Sequence, residues 1–178
     1  MTDYISTKDT AKLVRAALKN AFLGVKFSVR MSTGTASAWM RVSWSDGPTE
    51  LDVRAIIRRY EGRRFNGMTD GYDDNGSALV AFDGEEMPRV VRYCCDGINT
   101  HREYTTAGYR VAQHLISTDS DRKDLVLFTS AGDPIDSATL PQSLYVAGHF
   151  HDYIYSPTQL AQAILRRVNL CTVTAPTR

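Results

Sequence analysis

The residues best equipped for chemistry in this 178-residue chain are few and scattered. His149-Phe150-His151 puts two imidazoles at i and i+2, hence on one side of a strand, and imidazole is a common zinc ligand. A metal site needs third and fourth ligands. Asp152 points the other way on a continuing strand, so His101, His114 or Cys94 would have to arrive from a distance. His149 and His151 are therefore weak metal candidates, and surface or structural histidines are the stronger reading. Cys94-Cys95 lacks the two-residue spacer of a redox or zinc pair, so buried strand cysteines are expected there. Asp70, Asp73 and Asp74 cluster among turn formers, where plain solvent exposure accounts for them. No phosphate-binding loop, dinucleotide fingerprint, zinc-protease motif or nucleophile elbow occurs. The expectation is a protein that is not an enzyme and uses no cofactor.

Binding chemistry is better represented. Lys26, Arg30 and Arg41 fall on the polar side of two alternating segments, beside Trp39. Positive charge next to a stacking ring is what a sheet that binds single-stranded nucleic acid needs. A large rigid ring on an open sheet face serves equally well as a protein-interface anchor. Arg54 and Arg58, with Arg59, Arg63 and Arg64, add a local basic cluster that Glu50, Asp52 and Glu61 partly neutralise. Residues 78–104 could also fold over this face.

The elements that must position these residues follow from periodicity. Ser6 or Thr7 starts a helix whose apolar stripe is Val14, Ala17, Leu18, Ala21 and Phe22, with Gly24 as its stop. Its other side is a basic stripe (Lys8, Lys12, Arg15, Lys19), read as a solvated face. Val25 to Met31 and Ala38 to Trp44 alternate with period 2, which predicts an antiparallel hairpin covered on one side. Asp46-Gly47 ends it, Pro48 suits a first helical turn, and Val53, Ile56, Ile57 and Tyr60 form the next helix stripe. Residues 66–75 read as a loop. Arg89 to Cys95 and Ile98 to Tyr104 read as strands joined by an Asp96-Gly97 hairpin turn. Further on come a helix from Thr105 or Thr106, a strand at Leu125 to Thr129, an extended stretch at Leu144 to Tyr155, and a helix that Ser156-Pro157 opens. The fold class expected is α+β: an antiparallel sheet with helices mainly on one face, built on an N-terminal helix–strand–strand–helix unit.

Totals fit one ordinary globular domain: 43% hydrophobic, 23% charged and a net charge of +1, which argues against a uniformly basic nucleic-acid binder. Three cysteines, two of them adjacent, suit reduced thiols, and no apolar run is long enough to span a membrane. Met-Thr-Asp-Tyr-Ile-Ser at the N-terminus lacks the regions of a signal peptide, so a cytoplasmic location is expected.

Tyr4-Ile5-Ser6-Thr7-Lys8-Asp9-Thr10-Ala11-Lys12, Gly24-Val25-Lys26-Phe27-Ser28-Val29-Arg30 and Val42-Ser43-Trp44-Ser45-Asp46-Gly47-Pro48 together resemble the large polyvalent protein-associated domain family of phages and conjugative elements. Tyr60-Glu61-Gly62, Phe65 and Gly67-Met68 continue the likeness, and Arg102-Glu103-Tyr104-Thr105 echoes it more weakly. The resemblance covers about the first 75 residues well and implies residues 1–118 as a family-like region. Residues 119–171 are then expected to form a strand–strand–helix extension packed on the same domain, and 172–178 a flexible tail. It also implies a mobile-element context and brings no catalytic residue set. The expected function is accessory: binding a host macromolecule, with a host or defence-system protein the leading partner and nucleic acid the alternative.

Overall fold

A short strand, β1 (Asp3–Ile5), leads directly into α1 (Thr7–Ala21). Ser6 caps that helix: its Oγ accepts the Asp9 N–H at 3.1 Å and donates to the Asp9 carboxylate at 2.6 Å. Thr10, Ala11, Val14 and Leu18 form the buried stripe. On the basic side, Arg15 donates to the Val29 carbonyl at 2.6 Å, so the stripe is only partly a solvated face. The computed structural model describes residues 2–82 and 84–171; the expected flexible tail at 172–178 lies outside them.

β2 (Ser28–Met31) and β3 (Trp39–Ser45) form the expected antiparallel pair, in the register Ser28–Ser43, Arg30–Arg41. Val29, Met40, Val42 and Trp44 point into a core completed by Val14 and Leu18 of α1 and by Val53 and Ile57 of α2 (Glu50–Ile57). Pro48 is buried ahead of α2, not within its first turn. A 3-10 turn, Arg58–Tyr60, closes the helix. The helix–strand–strand–helix unit thus forms as its patterning dictates.

Beyond it the chain departs from expectation twice. Residues 66–75 are largely not loop: β4 (Arg63–Asn66) and β5 (Gly71–Asp74) pair as a hairpin. Cross-strand partners compensate for poor strand formers here, with Arg63 opposite Asp74, Arg64 opposite Asp73 and Phe65 opposite Tyr72. The Asn66 side chain turns the corner by accepting the Met68 N–H at 3.0 Å. Asp96-Gly97, in turn, is no hairpin turn. β6 (Ala78–Val80) and β7 (Arg89–Tyr93) lie in a sheet of order β1-β7-β6, with β1 parallel to β7. β8 (Gly97–Glu103) joins the other sheet, of order β2-β3-β8. The segment between is held at both ends: the Gly62 N–H reaches Cys95 O at 2.6 Å and the Asp96 N–H reaches Ala38 O at 2.7 Å. A Cβ on Gly62 would lie 2.2 Å from the Tyr93 carbonyl oxygen, so only glycine permits this approach. The architecture is α+β, with the strands distributed over four small sheets.

The described chain forms two units, one from residues up to Trp44 with Glu50–His101, the other from Ser45–Thr49 with Arg102 onward. They part at Arg102, ahead of the boundary near residue 118 that the resemblance implies. The second unit contains α3 (Thr106–Asp119), the antiparallel hairpin β9 (Ser143–Val146) and β10 (His149–Asp152), and α4 (Pro157–Leu165). Ser156 caps α4 as expected, accepting the Gln159 N–H at 3.1 Å, with Pro157 in the first turn. Val111, Ile116, Leu127, Leu144, Leu160 and Leu165 anchor its core. The strand expected at 125–129 reduces to one bridge between Phe128 and Pro134. Gln113 supplies the missing partner: its amide donates to Leu125 O at 2.8 Å and accepts the Leu127 N–H at 2.7 Å.

Arg102 organises the second unit. Only 6% exposed, it donates to the carbonyls of Asp46 and Gly47 at 2.8 Å and of Leu165 and Val168 at 2.9 Å. Its guanidinium carbon lies 4.9 Å from the centre of the Tyr104 ring. The Asp46 carboxylate accepts from the Thr105 N–H at 3.0 Å and from the Thr105 hydroxyl, fixing the entry to α3. Arg102→Met should cost about 3 kcal/mol or more, because it removes four hydrogen bonds and leaves the Asp46 and Val168 carbonyls without their donor. Urea unfolding measures this, and a loss below about 1 kcal/mol would show that water satisfies them instead.

Candidate binding surface

Strand alternation puts Arg30 and Arg41 directly opposite each other on the outer face of β2–β3. Both are exposed, and neither has an ion-pair partner among the described residues. Like charges in this register destabilise a sheet, so the pair holds uncompensated positive potential on that face. Lys26 is exposed just before β2.

Trp39 shares the face but is half-buried. Its ring covers Gly97 so closely that a Cβ there would lie 2.5 Å from a ring carbon. Tyr72 packs against it edge-to-face, with centroids 5.6 Å apart, and Phe65 continues the row at 5.4 Å from Tyr72. The expected lone anchor is therefore the inner end of a three-ring row that runs onto the β4–β5 hairpin. Phe65 is 54% exposed, Tyr72 50%, and Met68 at the hairpin tip 97%. Sequence reading missed these residues because 66–75 looked like loop. The signal was the apolar pair Phe65 and Tyr72 flanking Asn66-Gly67 and Asp70-Gly71.

Arg54 and Arg58 do not join this surface. They belong to the helical layer, which the core separates from the outer sheet face. Arg54 acts instead on Glu61, whose carboxyl accepts the Ile98 N–H at 3.0 Å. Burial pushes that carboxyl up, while Ile98 and Arg54 pull the other way. Arg63 pairs with Asp96 at 3.3 Å and Arg92 with Asp74, so this part of the basic cluster is internally neutralised.

The groups considered for catalysis lie apart. Cys95 is fully buried and its thiol is pushed up to about 12, chiefly by burial, which makes it a poor nucleophile. Cys94, expected to be buried, is exposed. His149 and His151 do share one side of β10, opposite Val146 and Leu144. Arg167 contacts the His149 ring, a cationic neighbour unfavourable to a metal ion. Among the described residues, no group of three or more His, Cys, Asp or Glu is placed to hold one. Burial, then Arg167 and His149, hold His151 below its ordinary value. No helix among the described residues is long and apolar enough to cross a membrane.

The family model named large polyvalent protein associated domain 29 matches residues 5–105, more than half of the sequence, and the chain belongs to that family. It is accordingly a phage- or mobile-element-associated protein. Among curated proteins and solved structures nothing matches it.

Two outcomes test this geometry. Gly97→Ala should lift the Trp39 ring off β8; in a Trp44→Phe background, which leaves Trp39 as sole tryptophan, emission should shift to the red and acrylamide quenching should rise. Unchanged quenching would mean the ring does not depend on Gly97. For His151, the depressed folded value means the unfolded chain takes up its proton first as pH falls through about 6.5. Stability should therefore drop as pH falls below that point, and His151→Gln should reduce the slope of unfolding midpoint against pH. An identical slope would remove His151 as its source.

Proposed function

We propose that this protein is a non-enzymatic accessory factor of a phage or other mobile element that binds a host protein, such as a defence-system component. The row Trp39–Tyr72–Phe65 carries this reading. Exposed aromatic and methionine side chains beside arginine have the composition of a protein-interface hot spot. Arg30 and Arg41 flank the row, and their mutual repulsion would be relieved by an acidic partner. The hairpin that carries Tyr72 and Phe65 also carries Asp70 and Asp73, which repel phosphate, while Asp74 is paired with Arg92. That balance favours protein over nucleic acid.

Nucleic-acid binding is the second reading, favoured by the unpaired Arg30–Arg41 register beside Trp39. It would act in the handling or protection of incoming DNA.

Phe65→Ser and Tyr72→Ser leave the Trp39–Gly97 packing in place and test the first reading more cleanly than Trp39→Ala. Either should weaken a captured host partner about 30-fold, equivalent to about 2 kcal/mol, measured by calorimetry on the purified pair. An unchanged affinity with both variants would overturn the reading. Fluorescence anisotropy with single- and double-stranded DNA at about 50 and 200 mM salt tests the second. Steep salt-dependent binding lost in Arg30→Glu/Arg41→Glu would favour it; no binding even at low salt would dismiss it.

A further inference from the structure

The second unit holds a cleft that the surface described above does not use. Thr106, Tyr109, Arg110 and Gln113 recur at helical spacing and form one stripe of α3, facing the segment from Phe128 to Gly132. The opposing wall is fixed by its own hydrogen bonds. The Thr129 N–H reaches Asp133 O at 2.8 Å, the Gly132 N–H reaches Thr129 O at 2.9 Å, and the Ile135 N–H reaches Leu127 O at 3.0 Å. Gln113 bonds the backbone of Leu125 and Leu127 with both ends of its amide, which fixes its place in the wall.

What remains is one cation, hydroxyls and two rings. Tyr109 and Phe128 lie 5.2 Å apart at an interplanar angle of 31°, and the Tyr109 hydroxyl is held by Gln162 at 3.2 Å. Arg110 is exposed and has no ion-pair partner among the described residues. The lining contains no carboxylate, while Thr106 and Ser130 add hydroxyl donors. The cleft encloses about 110 Å³. An apolar cavity of roughly 150 Å³ accommodates a benzene molecule, whereas a drug-sized ligand needs about 300 Å³ or more. The space therefore suits one ring.

We propose that this cleft binds an aryl anion, a single aromatic ring carrying a phosphate or carboxylate. The ring packs against Tyr109 and Phe128, and the anion meets the Arg110 guanidinium with Thr106 and Ser130 beside it. Such a group could be a free small molecule or a phosphotyrosyl side chain on a protein.

Phenyl phosphate and benzoate, titrated into the full ¹⁵N-labelled chain, are the direct probes. Amide shifts should appear at Tyr109, Arg110 and Phe128 to Gly132. Phenol, the ring without the charge, and inorganic phosphate, the charge without the ring, should each bind at least about tenfold more weakly. Arg110→Gln, on an exposed position, should weaken phenyl phosphate about tenfold, while Arg30→Gln should leave it unchanged. A short phosphotyrosyl peptide that binds more tightly than phenyl phosphate would support the proposal with a protein as the source. One that binds more weakly would support it with a free small molecule. No shifts with either aryl anion up to about 10 mM, or equal binding by Arg110→Gln, would overturn it.

Discussion

A buried guanidinium tolerates its site only if nearly every N–H finds an acceptor, and the second unit is built around that requirement for Arg102. Among the described residues no carboxylate forms an ion pair with it; four carbonyls share the charge instead. Two come from the Asp46-Gly47 corner, where Asp46 adopts φ 52° and Gly47 φ 60°. Consecutive left-handed residues point both carbonyls to the same side, which an extended chain would not do. The other two come from the end of α4 and the turn after it, where unsatisfied carbonyls and the negative end of the helix dipole favour a cation. Burial works against the charged form of Arg102, and Tyr104 and Asp46 oppose it.

The outer sheet face follows a different logic. Trp39 can lie flat because Gly97 has no side chain, and Gly97 sits beneath it because β8, rather than pairing back on β7, runs beside β3. Tyr72 then closes over the ring's edge. Packing thus restrains the inner ring and leaves Phe65 and Met68 outermost. The inner part of this surface is strand-borne and its most exposed part, Met68, is at a hairpin tip.

The parts legible in the sequence were those governed by local chemistry. Ser6 and Ser156 announce their helices because a cap is a contact between residues three apart. The inward set Met40, Val42 and Trp44 is visible because one buried face imposes period 2. What could not be read depended on distant partners. Residues 66–75 carry poor strand formers, and only cross-strand pairing with 63–66 makes them extended. Asp96-Gly97 has turn-like composition, yet the bond from the Asp96 N–H to Ala38 O, and that from the Gly62 N–H to the preceding Cys95 O, decide its path. Lys26, Arg30 and Arg41 were placed on one side by alternation, but Arg54 and Arg58, close in sequence to Glu61 and Arg63, are set apart because a core lies between helix and sheet face. The strand expected near Leu127 failed for a related reason, since a glutamine side chain took the place of a neighbouring strand.

The family match gives the Asp46-Gly47 motif a sharper physical meaning. The matched segment ends at Thr105, so it contains Arg102, Thr105 and the corner that receives them, but only two of the four carbonyls that Arg102 engages. Leu165 and Val168 lie outside it, as does Leu170, whose N–H returns to Gly47 O at 2.8 Å. The matched segment alone would leave part of the guanidinium without protein acceptors. Residues beyond the match supply them and build a unit around the same corner. The sequence motif that identifies the family is therefore, in this chain, also the point at which non-family sequence is secured. Its aspartate and glycine are explained by that structural duty.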